Sequence, residues 1–91
     1  MAVKVRIPTP LRKLTNEQEL VEVAAGSVGS AVRELQTQFP GIQDRLLDDA
    51  GGVRRFVNVY LNEEDIRFLA NLETATKDGD EISIIPAIAG G

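Results

Sequence analysis

The chain is predicted to fold as one α+β domain, a mixed sheet of four to five strands packed on one main helix. Three features lead there. The segments "AVKVRIP" and "EISIIP" lie near the two ends, and each sets apolar residues two apart, the period of a half-buried strand. Between them, "GSVGSAVRELQTQFPG" repeats its apolar residues in steps of three and four, the stripe of a helix. A length of 91 residues allows one core and leaves no room for a second.

In the first strand Val3, Val5 and Ile7 face one way and Lys4 and Arg6 the other. Pro8 and Pro10 end it, because neither can donate to a ladder. "TPLRKLTNEQE" reads as a turn or hairpin loop. "ELVEV" then resumes the alternation with Val21 and Val23 on one face, which predicts an antiparallel hairpin. The helical stripe consists of Val28, Ala31, Val32, Leu35 and Phe39, with Ser27 ahead of it as N-cap and Pro40 and Gly41 as its stop. Gly29 costs the helix about 1 kcal/mol against alanine, a penalty that close packing of helix on sheet would explain.

"IQDRLLDDAGG" supplies a short helical turn through Ile42, Leu46 and Leu47, followed by a flexible loop at Gly51 and Gly52. "RRFVNVYLN" returns to alternation, with Val57, Val59 and Leu61 on the core face and Phe56, Asn58 and Tyr60 opposite. "EEDIRFLANLETAT" is a crossing segment with a short edge strand near Ile66 and a single turn around Leu72. "KDGDE" is a turn in which Gly79 is free to take positive φ. The last strand points Ile82 and Ile84 inward and leaves Ile85 outside. Since the first and last strands are both strongly apolar on one side, they are expected to sit centrally and pair with each other.

The absences narrow the chemistry. There is no cysteine, histidine or tryptophan, which removes thiolate nucleophiles, disulfides, imidazole bases and Cys/His metal sites together. "NEEDIRF" lacks the spaced ligands and the glycine of a calcium loop, and "AGSVGS" lacks the spacing and the lysine of a phosphate loop. Tyr60 reads as surface packing, Lys4, Lys13 and Lys77 as ordinary ammonium groups, and Asp48 and Asp49 as a solvated pair with no apolar pocket beside them. A formal net charge of −4 argues against nucleic acid as the main partner. No apolar run approaches the roughly 18 residues of a membrane span, and the alternating N-terminus does not read as a signal peptide. A cytoplasmic protein without a catalytic site of its own is expected.

What remains is the end of the chain, "PAIAGG". A free carboxylate is a poor electrophile, so transferring the Gly91 carbonyl requires activation, typically as a mixed anhydride with AMP in a partner's ATP site. Gly90 and Gly91 suit such a transfer, since without a Cβ they can thread a narrow channel and leave the carbonyl uncrowded. Pro86 stiffens the exit from the sheet and withholds a ladder donor. Residues 1–85 are therefore read as the folded domain and 86–91 as a flexible tail.

"DGDEISIIPAIAGG" resembles the closing motif of the ThiS/MoaD sulfur carriers, ubiquitin-like β-grasp proteins ending in Gly-Gly. "GSVGSAVREL" resembles the helix start of that family and "VNVYLNEED" its middle strand, so the likeness covers nearly the whole chain. "RFVNVYLNEEDIRF" together with "IPAIAGG" is most similar to the CysO type of cysteine biosynthesis. The resemblance implies that an E1-like adenylating and sulfurtransferase enzyme uses ATP and magnesium to activate Gly91, with Ala89 and Gly90 forming the threaded tail. Sulfide or a persulfide then displaces AMP and leaves a thiocarboxylate.

In the CysO branch the sulfur passes to O-phosphoserine in a PLP-dependent cysteine synthase, and a JAMM-type metalloprotease frees the product. In the MoaD branch the recipient is a pterin on the large subunit of molybdopterin synthase. The chain itself would bind no cofactor and no metal. Ile85, Ile88 and Phe68 are the expected docking residues, unless Ile85 is covered by the crossing segment around Phe68. Two other readings stand beside this one: a ubiquitin-like modifier that joins Gly91 to target lysines, and a non-covalent β-grasp module with an idle tail.

Overall fold

The structure, a computed structural model, describes residues 2–55 and 57–86. Five strands form one sheet in the order β2-β1-β5-β3-β4. These are β1 (Ala2–Arg6), β2 (Leu20–Ala24), β3 (Val57–Leu61), β4 (Glu64–Asp65) and β5 (Glu81–Pro86). β1 pairs antiparallel with β2 and parallel with β5, while β3 pairs antiparallel with both β5 and β4. The expected mixed sheet is present, with the first and last strands paired at its centre. Alternation fixes which face is which: Val3, Val5, Val21, Val23, Val59, Leu61, Ile82 and Ile84 are all buried.

Helix α1 (Val28–Gln38) lies across that inner face. Val28, Ala31, Val32 and Leu35 are buried along it, and Phe39 just beyond it completes the stripe. Its start is a reciprocal cap. Ser27 Oγ accepts from Ser30 N at 3.1 Å, and Ser30 Oγ accepts from Ser27 N at 3.0 Å. Gly41, at φ +103, turns the chain directly into a second helix, α2 (Ile42–Leu46), which buries Ile42 and Leu46. The side chain of Gln36 makes that sharp join possible by accepting from both Gly41 N at 3.1 Å and Gln43 N at 3.0 Å.

Four expectations need correction. "TPLRKLT" is not a simple turn but a 3-10 helix, Thr9–Thr15. Its closing residue, Thr15, is fully buried and satisfied by donating to Gln18 O at 3.0 Å. Leu47 does not belong to α2; it bridges to Val53 across the loop that follows. That loop, expected to be flexible at Gly51 and Gly52, is a hydrogen-bonded turn: Asp48 Oδ1 accepts from Ala50 N and Gly52 N, and Gly51 takes φ +87. Gly29 is explained by the crossing segment rather than the sheet, since a Cβ there would stand 3.0 Å from Leu72 O.

The crossing segment runs from β4 through two single 3-10 turns, Ile66–Phe68 and Asn71–Glu73. Thr76 ties it back to the sheet edge, donating from Oγ1 to Ala25 O at 3.1 Å and from its backbone N–H to Gly26 O at 3.0 Å. Gly79 then takes φ +89 in the turn before β5, as the sequence predicts.

Because Ser27 both accepts at the first turn of α1 and receives from Ser30 in return, Ser27→Ala should lower unfolding stability by about 1 kcal/mol. Urea denaturation of the variant against the parent checks this. Gly29→Ala should not recover the roughly 1 kcal/mol of helix propensity that alanine offers elsewhere, because Leu72 O occupies the required space.

Candidate functional site

The candidate site is the outer face of the sheet where β5 ends. Strand alternation that buries Ile82 and Ile84 turns Ser83 and Ile85 outward. Ile85 is 46% exposed, so the crossing segment does not cover it. Phe68 stands freer still, at 86% exposure, and its neighbour Leu69 is also exposed. Large apolar side chains in such positions have no part in the core. Ile88, Ala89, Gly90 and Gly91, the remaining predicted site residues, lie outside the described residues, as does Phe56.

A polar clamp joins the two apolar residues. Asn58 on β3 lies directly opposite Ile85 in the ladder. Its Oδ1 accepts from Arg67 Nη2 at 2.6 Å, and Arg67 immediately precedes Phe68. Arg67 is held in turn by Asp65, whose Oδ2 lies 2.8 Å from Nη2 and whose Oδ1 accepts from Arg67 N at 2.9 Å. The 3-10 turn carrying Phe68 is therefore fastened to the same strand pair that carries Ile85. No reading of the sequence found this clamp; an Asp-x-Arg spacing beside an edge strand is its only trace.

Several other charged groups are held in the same way. Arg6 on β1 donates to Glu81 Oε2 at 3.1 Å and pairs with Glu19 at 3.4 Å. Asn62 donates to Asp80 Oδ1 at 2.9 Å, and Lys77 N donates to its Oδ2 at 2.8 Å. The titration consequences follow directly. Hydrogen bonds from Arg67, then its charge, hold the Asp65 carboxyl below the usual range, and hydrogen bonds from Asn62 and Lys77 N lower that of Asp80. Glu81 raises Arg6, and Asp65 raises Arg67. All four are pushed toward their charged forms, the opposite of what a general acid or a neutral lysine-type nucleophile requires. Among the described residues no three metal-ligating side chains come together, and no helix is long and apolar enough to cross a membrane.

The ThiS family model matches residues 5–91. The sulfur carrier protein CysO of Mycobacterium tuberculosis is 44% identical over 93 residues, covering the whole of both chains. In the crystal structure of the Amycolatopsis orientalis BexX/CysO complex, the matching chain superposes with a TM-score of 0.92 at 42% identity, over 98% of this chain and 99% of that one. The molybdopterin synthase sulfur carrier subunit of M. tuberculosis is 40% identical over 75 residues, 81% of this chain and 76% of its own.

The lowered carboxyls give stability with a defined sign. A carboxylate whose folded value lies below its unfolded one stabilises the fold above the unfolded value, about 3.9 for Asp, and loses that contribution as pH falls toward the folded value. Stability should therefore decline with acidification below about pH 4. Asp65→Asn should flatten part of that decline, which thermal unfolding followed from pH 6 down to acid would read.

Proposed function

Because this chain belongs to the ThiS family, we propose that it is a sulfur carrier whose Gly91 carboxylate is converted to a thiocarboxylate for cysteine biosynthesis. The chain is a carrier and not an enzyme. The observation that carries the reading is the full-length match to a sulfur carrier, which continues through the final Gly-Gly.

The steps follow from the chemistry of a carboxylate. In an E1-like partner, a Gly91 oxygen attacks the α-phosphorus of ATP and pyrophosphate leaves, with magnesium neutralising the phosphate charge. The resulting acyl-adenylate is a good electrophile. Sulfide attacks the carbonyl carbon and AMP leaves with the oxygen. Where the donor is a persulfide, the acyl disulfide so formed is cleaved by a second thiol of the partner, which leaves as a disulfide with the donor and frees the thiocarboxylate. The thiocarboxylate sulfur then bonds to the β-carbon of O-phosphoserine in a PLP-dependent synthase as phosphate leaves. The acyl group moves from sulfur to the amino group, and hydrolysis of that amide by a JAMM-type metalloprotease releases cysteine and restores the Gly91 carboxylate. These steps take place in the cytoplasm. ATP, magnesium and PLP belong to the partners; this chain contributes the tail and the surface that places it.

Ile85 and Phe68 supply that surface, with Ile88 continuing it along the tail. Apolar side chains exposed at the base of a tail lose water only when a partner closes over them, so their burial favours the docked state. Donation to a pterin rather than to O-phosphoserine is a second reading, favoured by the similarity to the molybdopterin synthase subunit.

Intact-mass measurement on the chain from its native host should show replacement of one oxygen by sulfur; adducts on target lysines would instead indicate a modifier. Loss of Gly91 should abolish the sulfur-bearing form. Ile85→Ala should raise the KM for the carrier in the adenylation assay about tenfold, equivalent to about 1.4 kcal/mol, without changing the melting temperature. Unaltered adenylation kinetics would remove Ile85 from the interface.

A further inference from the structure

The end of β5 opens onto a cleft that the proposed chemistry leaves unused. It has a volume of about 680 Å³, with Leu11, Val57 and Pro86 as apolar lining and Arg45, Arg54 and Arg55 around it. Four segments converge there, the 3-10 helix Thr9–Thr15 with Leu11 being one. α2 carries Arg45 in its last turn, the residues leading into β3 carry Arg54 and Arg55, and β5 delivers Pro86 opposite Val57. Arg54 is fixed twice, by its backbone N–H to Leu46 O at 2.9 Å and by Nε to Asp44 O at 2.7 Å. Among the described residues nothing else engages its two Nη groups.

The charge there runs against the chain as a whole. Three of the ten cationic side chains gather at one spot of a protein with formal charge −4. Among the described residues none of the three forms an ion pair, whereas Arg6, Arg12 and Arg67 all do. Asp44 and Asp48 also border the cleft, but Asp48 is engaged by Ala50 N and Gly52 N.

We propose that this cleft docks an acidic polypeptide segment of the enzyme that takes up the tail. The inference rests on the sulfur-carrier reading. Position is the first support: Pro86, from which the tail departs, lines the cleft together with these arginines, so a protein that takes up the tail approaches them. Reach is the second. Gly91 is the fifth residue after Pro86, a span of about 17 Å when extended. A terminus held extended in an adenylating site keeps the nucleotide phosphates well beyond the arginines, which leaves carboxylates of the partner's own chain as the anion they meet. Guanidinium groups pair with carboxylates through two parallel hydrogen bonds, and the apolar lining strengthens such pairs by excluding water. Charges at the rim of an interface act mainly on the rate of encounter.

The test uses the full-length chain, the double variant Arg54→Glu and Arg55→Glu, and the E1-like enzyme of the same organism. The variant should raise the KM for the carrier about tenfold or more, leave kcat within about twofold and flatten the dependence of kcat/KM on sodium chloride. Unchanged KM and salt dependence, in a system where the parent chain still acquires sulfur, overturns the docking site and leaves the carrier reading intact. A parent chain that never acquires sulfur overturns the carrier reading instead, and the cleft is then read directly. Titrating hexaglutamate into the isotope-labelled chain should shift the amides of Arg45, Arg54, Arg55 and Val57, and the double variant should abolish those shifts. Shifts that are absent, or spread over the other cationic residues, would falsify the proposal.

Discussion

The placement of β5 between β1 and β3 is the constraint on which the rest depends. Ile82 lies opposite Val5 on one side and Leu61 on the other, so one residue couples the first strand of the chain to the third. The parallel β1–β5 pair can form only when segments some seventy-five residues apart meet, and it closes the sheet over α1 when it does. The inward side of β5 completes the core, and its outward side carries Ile85. The last strand before the tail is thus the most enclosed in the sheet, and the apolar patch beside it is held to the same register.

Much of this was legible because one face of every long strand is buried. A one-residue slip in β5 would bury Ser83 and Ile85 and expose Ile82 and Ile84, so the alternation alone settles which isoleucine faces out. Exposure of Ile85 could be expected for that reason, whereas Phe68 sits in a 3-10 turn with no alternation to place it. Other features depend on contacts between distant segments. Gln36 closes the start of α2 with its side-chain oxygen, and no local pattern announces a side chain that serves the next helix. Gly29 looked like a helix–sheet contact, but the atom it avoids belongs to Leu72, more than forty residues on. The 3-10 helix at Thr9–Thr15 hid behind two prolines that read equally well as a turn. The cleft near Pro86 is assembled from four stretches of sequence, and an overall charge of −4 conceals its local sign.

The outer face divides into settled and unsettled parts. Arg6, Glu19 and Glu81 neutralise one another on β1, β5 and the segment before β2, and Arg67, Asp65 and Asn58 do so beside β3. Exposed pairs of this kind add little stability each. Their effect is to fix the arrangement of a surface while leaving few free charges on it. Ile85, Phe68 and Leu69 stand exposed beside that face, while the three arginines line the cleft that α2 forms with the end of β5.

The double-sided pairing of β5 also has a mechanical consequence. A partner drawing the terminus into a narrow channel pulls along the axis of this strand, and the load falls on both ladders in shear. Hydrogen bonds loaded in that direction must yield together, whereas those of a peeling edge strand fail one at a time. Traction on the end of β5 is therefore resisted by the whole centre of the sheet.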